Sequence, residues 1–199
     1  MFVIKWAPLS MIDIDPAMQL GLEYLPDGKW SIQQELGYGR FGYSGIFTPD
    51  EDDMQQKEVW RSRTEARMYL SNYRPKPTGA YLAFEVLYKR VNYKSDEQIG
   101  RNCENGDCEY RETVQNKMFK DAVGFHVKFG VQAPIGKRMA LDFYIGIGGR
   151  SVTIKASNKE LAEIWKDECQ AFVGNPTLPG NYGLISGNLG FKVGYLLYR

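Results

Sequence analysis

His126 is the only histidine in this 199-residue chain, and alternate positions around it carry Gly124, Lys128, Gly130 and Gln132. Elsewhere the same two-residue spacing gives Lys5, Glu23, Glu35, Glu65, Arg67, Glu85, Lys89, Asp142 and Lys192. An imidazole among carboxylates and ammonium groups can move protons, but acyl transfer also needs a nucleophile beside the base on an accessible surface. No Gly-x-Ser-x-Gly or comparable nucleophile motif is present. The expectation is therefore a non-enzymatic protein with no catalytic residues and no cofactor, in which these groups neutralise one another. Buried charges persist only when paired, so the eleven residues should form a connected polar network. Hairpin register is expected to bring Arg67 opposite or diagonal to Glu85, and Lys128 diagonal to Asp142.

Metal chemistry finds little support. Three cysteines, Cys103, Cys108 and Cys169, lie in segments read as loops, and the histidine is far from them in sequence. That set does not make a zinc site. A local Cys103–Cys108 bridge with Cys169 free is the expected arrangement, with Asn105-Gly106 forming the turn between them. The acidic run PDEDDMQQKE, residues 49–58, lacks the spacing of a calcium loop and reads as a solvated connection.

The elements that would position these side chains are strands. Residues 121–150 put Val123, Phe125, Val127, Phe129 and Val131 on one parity, followed after a turn by Met139, Leu141, Phe143, Ile145 and Ile147. Polar residues and glycines take the other parity. Similar alternation marks residues 2–9, 17–25, 30–43, 59–72, 79–92 and 187–198, which makes eight strands. Tight turns at 26–29, 73–78 and 134–137 alternate with longer polar connections at 10–16, 44–58, 93–119 and 155–186. A helix is expected over 157–172, where Ser157 and Glu160 make a capping box ahead of Leu161, Ile164 and Trp165. Such a helix would pack on the rim or dock a partner.

Eight strands and their loops use nearly the whole chain, so residues 1–199 are read as one all-β domain, an antiparallel up-and-down barrel. A net charge of +1 gives no field that would favour nucleic acid. A soluble calyx would turn its apolar face inward, whereas a transmembrane barrel turns it toward lipid. Three features favour the membrane. The apolar faces carry no charge except Arg90, and Gln34 is the one polar residue amid a strand. The 21 glycines concentrate on the charged face, where small residues make room for long side chains. The large connections fall on one rim, the pattern of extracellular loops. The opening MFVIKWAPLSM is too short for a signal peptide and Lys5 interrupts it, so an exported protein would be numbered from its processed form. On the lipid-facing assignment, Val127→Arg and Ile145→Arg should be damaging and Gly130→Ser better tolerated.

Several segments then carry a resemblance: LGLEY (Leu20–Tyr24), EARMY (Glu65–Tyr69) and LDFYIGIGGR (Leu141–Arg150). With these the chain resembles the small eight-stranded outer-membrane barrels typified by outer-membrane proteins A and X. It looks closer still to a family of uncharacterised barrels of Gram-negative bacteria. The last strand resembles the signal read by the barrel-assembly machinery, although Arg199 follows Tyr198 where an aromatic residue usually ends the chain. The resemblance implies a mature protein in the bacterial outer membrane, in contact with lipid and lipopolysaccharide. It supplies no activity. The leading expectation is a barrel with a plugged interior whose extracellular loops bind a partner, a surface ligand or a neighbouring membrane complex. The alternatives are a purely structural envelope protein and, behind it, an outer-membrane enzyme or a soluble lipid-binding calyx.

Overall fold

A computed structural model describes the chain except for residues 14, 27–28, 42–53, 71–77, 105–106, 158–178 and 198–199. For residues 41, 54–56, 95–104, 107–108 and 111 it describes the backbone alone. The expected helix at 157–172, most of the acidic run at 49–58, Cys169 and the terminal Tyr198 lie outside the described residues or at their edge.

The strands are β1 (Phe2–Trp6), β2 (Met18–Tyr24), β3 (Trp30–Phe41), β4 (Met54–Tyr69), β5 (Gly79–Glu104), β6 (Asp107–Ile135), β7 (Met139–Ala156) and β8 (Gly180–Leu196). Each pairs antiparallel with its neighbours in sequence, and β1 also pairs with β8, so the sheet closes into a barrel-like ring. A short 3-10 helix, Pro8–Met11, follows β1. β1 ends earlier than its alternation suggests because Pro8 has no N–H to continue the ladder.

The alternation decides which way each side chain faces. In β2, Gln19, Gly21 and Glu23 are buried while Met18, Leu20, Leu22 and Tyr24 are exposed. The other strands follow the same rule, so apolar side chains cover the outside and charges fill the inside. Exposure reaches 67% at Ile147 and 76% at Ile185 and Leu189. A greasy-lined calyx is incompatible with this arrangement. The outer face holds more charge than expected, with Arg40, Lys117 and Lys155 exposed on it; on the same face Asp121 accepts from Arg90 Nε at 2.7 Å, and Tyr88 donates to the same carboxylate. Further down, Gln34 is satisfied within the outer face by Ser62 and Thr64, at 3.0 and 2.6 Å.

Two expectations about the hairpins are corrected. Residues 93–119 are not a loop, since β5 and β6 pair continuously through them, apart from residues 105–106. Beyond Ser95 and Lys117 these two strands, among the described residues, pair only with each other, forming a ribbon about 30 Å long that projects from the ring. Cys103 and Cys108 are therefore on strands, in direct register. The second correction concerns the β6–β7 turn. It spans three residues, 136–138, with Gly136 at φ 64°, and sets Ile135 opposite Met139. Asp142 then faces Gln132, and Lys128 faces Gly146, too far along the strand to be diagonal to Asp142.

Candidate functional site: a charged interior beneath a lateral cavity

Inward parity brings long side chains from every strand into a space that eight strands leave narrow. Near the turn-bearing rim, Asp142 accepts from Lys5 Nζ and Arg67 Nη1, both at 2.7 Å, and from the Tyr81 hydroxyl at 2.6 Å. Glu23 accepts from Lys5, Ser31 and Tyr69 at 2.7, 2.6 and 2.9 Å. Glu65 takes Arg67 Nε at 2.6 Å, with Lys128 and Lys192 at 3.2 and 3.3 Å. Lys128 also pairs with Glu85, and Lys192 with Glu35. The Arg67 guanidinium lies 4.4 Å over the Tyr81 ring, while Lys128 and Lys192 approach the ring of Tyr144 at 4.4 and 4.8 Å.

Ten of the eleven network residues thus form one connected set, and Lys89 stands apart from it. Register sets Ala83 opposite Arg67 and Glu85 diagonal to it, as expected, but the guanidinium turns to Glu65 and Asp142 rather than to Glu85. Tyr69, Tyr81, Tyr144 and Gln132 also belong to the network, beyond the eleven residues expected. Their parity was the available signal; it gave the direction of each side chain but not its partner.

Above this layer the β1–β2 connection folds into the mouth of the ring. Asp15 pairs with Lys57 at 2.8 Å and with Lys89, while Arg61 reaches Asp13 at 2.7 Å and the Asp15 carbonyl at 3.1 Å. Gly39 permits the fold, since a Cβ there would collide with the Pro16 carbonyl. Burial pushes the Asp15 carboxyl upward, but Lys89 and Lys57 outweigh it and hold the group well below its ordinary value. Asp13 is also lowered: burial raises it, and Arg61 and then Lys89 overcome that effect.

Between the two layers, register aligns Glu85, His126, Gly148 and Ser186 in one row across β5, β6, β7 and β8. His126 Nε2 lies 3.0 Å from Ser186 Oγ, and Nδ1 lies 3.2 Å from Glu85 Oε1 without hydrogen-bond alignment. Gly148 cannot carry a side chain, because a Cβ would collide with the Phe125 carbonyl. Asn188 Nδ2 donates to the same Glu85 oxygen at 3.0 Å. The row borders a cavity of about 530 Å³, which also touches Arg61, Arg63, Lys89, Tyr144 and Arg150. Among the described residues no cluster of His, Cys, Asp and Glu has the arrangement of a metal site.

The family model described as "Protein of unknown function (DUF3575)" matches residues 10–175, a span that holds the mouth loop, β2 to β7 and every residue of the central row except Ser186. The chain belongs to the DUF3575 family. No curated protein and no solved structure matches it. The family description names no activity, so the functional reading of this DUF3575 protein rests on its own geometry.

Proposed function

We propose that this DUF3575 protein is a bacterial outer-membrane β-barrel of the outer-membrane protein A/X type, non-enzymatic, with an ion-sealed interior and a partner-binding extracellular rim. The observation that carries the reading is the inverted polarity of the ring. Apolar side chains cover most of its outside in a belt, while many lysines, arginines and carboxylates are almost wholly buried inside. In water such a surface would aggregate; against acyl chains and lipopolysaccharide it is the stable arrangement. Tyr38 and Trp60, whose ring centroids are 4.6 Å apart, and Phe2 and Tyr24, at 4.9 Å, lie near the two ends of the belt, where aromatic rings favour the interface.

The binding role is supported by the β5–β6 ribbon. It projects on the rim opposite the tight turns and offers exposed strand edges, to which a partner's extended segment can add. A purely structural barrel has no use for so long a projection. The test has two parts. The protein should require detergent for extraction and migrate faster on an unheated gel than after boiling. A photo-crosslinker at Gln98 should then capture a specific envelope protein in cells, and that protein should no longer co-purify with a barrel whose ribbon is shortened by deleting 98–113. Extraction by salt or carbonate alone would refute the membrane assignment. Undiminished co-purification of that protein with the shortened barrel would refute the role of the ribbon.

A further inference from the structure

The ring is uneven in height. β1 pairs with β8 only from Val3↔Leu196 to Trp6↔Val193, whereas β8 continues along β7 as far as Gly180. Among the described residues, the β1 side of β8 above Val193 is flanked by the Pro8–Met11 helix rather than by a strand. The cavity reaches this gap. Its lining includes inward groups such as His126, Arg63 and Ser186, but also Leu189 and Phe191 from the outward parity of β8, and Leu9 and Ile12 beside the helix. It therefore opens sideways through the wall, at a doorway whose frame is apolar.

The far end of the cavity is polar and cationic. Arg61, Arg63, Lys89 and Arg150 line it, against two carboxylates, Asp13 and Asp15. Arg61 and Lys89 are held by those carboxylates. Arg63 is held less firmly: its ion pair to Glu85 is long, 3.9 Å, and its side chain, 12% exposed, lines the cavity. A buried guanidinium donor of this kind strongly favours an anionic acceptor. Ser186 and Asn188 add neutral polar groups on the same wall.

We propose that this cavity binds an amphiphile with one acyl chain and an anionic head. The chain enters between Leu9, Ile12, Leu189 and Phe191, and the head accepts from Arg63. A volume of about 530 Å³ suits one such chain and falls within the range of small-molecule sites. This inference rests on the lipid-facing reading of the belt, because the doorway supplies its ligand from the bilayer plane.

Native mass spectrometry of the protein in an uncharged detergent provides the test, with dodecanoate, dodecyl lysophosphatidate and dodecanol as probes. One anionic probe should remain bound per chain and dodecanol should not; the tighter of the two anions identifies a carboxylate or a phosphate head. Arg63→Gln should weaken binding at least tenfold, and Leu189→Trp, at the doorway, should slow it. Arg138→Gln on the opposite rim serves as the control and should leave binding unchanged. Equal retention of dodecanol, or wild-type affinity in an Arg63→Gln protein that still shows the unheated-gel shift, would overturn the proposal. A barrel that inserts yet binds none of the probes would refute this inference alone, whereas failure to insert would refute the membrane assignment itself.

Discussion

Arg67 on β4 spans the lumen to Asp142 on β7, its Nη1 lying 2.7 Å from Oδ2. Its Nε at the same time holds Glu65 at 2.6 Å, so one guanidinium joins carboxylates on two strands that are not neighbours. Removing it would leave Asp142 with Lys5, and Glu65 with Lys128 and Lys192, in a buried network short of one positive charge. Arg67→Ala should therefore destabilise the barrel by about 3–5 kcal/mol, the usual cost of removing one partner from a buried ion pair. Urea unfolding in micelles would measure this. A loss below about 1 kcal/mol would show that the remaining lysines compensate both carboxylates.

The same cross-links should leave no continuous water path. In a planar bilayer the unmodified protein should show no stable, large-conductance channel, because Lys5, Arg67, Lys128 and Lys192 cross the lumen between their carboxylates. Steady porin-like currents would contradict the sealed interior.

Val127 and Ile145 are exposed at 57% and 60% and occupy the middle of the outer belt. An arginine at either should cost about 2–4 kcal/mol of insertion stability. Gly130→Ser, which alternation alone would pass as mild, should also be damaging. Its new Cβ would meet the ring of Tyr81, which is buried and hydrogen-bonded to Asp142. Gly183→Ser has nothing within 4 Å of its Cβ and should fold normally. Refolding yields in liposomes, read from the gel shift, would separate the three classes.

Cys103 and Cys108 are cross-strand partners in the β5–β6 ribbon. Opposed residues of an antiparallel pair have Cα atoms about 4.5–5.5 Å apart, within the span that a disulfide bridges. Mass mapping of unreduced peptides should find this bridge. A link from Cys169 to either one would refute it.

The mouth loop should respond to acid. The Asp15 carboxyl is depressed on folding, so its contribution is complete above the ordinary value of 3.8 and is lost as the pH falls from there through the depressed folded value. Between pH 8 and 5 a spin label at Ile12 should keep constant mobility, and below about pH 4 it should loosen. Asp15→Asn should loosen it at every pH. A midpoint near neutrality would assign the control to another group.

What the sequence revealed follows from how strongly water enforces each feature. The facing of β2, β6 and β7 was readable because a single apolar parity is paired with a single polar one. Between Ser95 and Gln115 the sequence is largely polar on both parities, so it carries no strand alternation and resembles a loop. Partner choice was hidden for another reason. Lys128 and Asp142 share a hairpin, but the three-residue turn moves Asp142 opposite Gln132, and only closure of the ring brings it to Lys5 and Arg67. The mouth loop gave no periodic signal, because Asp13 and Asp15 act through cations from β4 and β5.

The junction of β1 with β8 amounts to four registered pairs, while β5 and β6 zip together from Gly79 to Glu104. The long hairpin joins residues close in the chain and needs little search to form. The short junction joins the two ends of the molecule, and only after the loss of almost all the chain's freedom. Maturation should therefore run from the middle outward and finish at this seam, which is also where a folded molecule would come apart first. A protein that exchanges its amide hydrogens fastest at Val3–Trp6 and Val193–Leu196 would be reporting the last step of its own assembly.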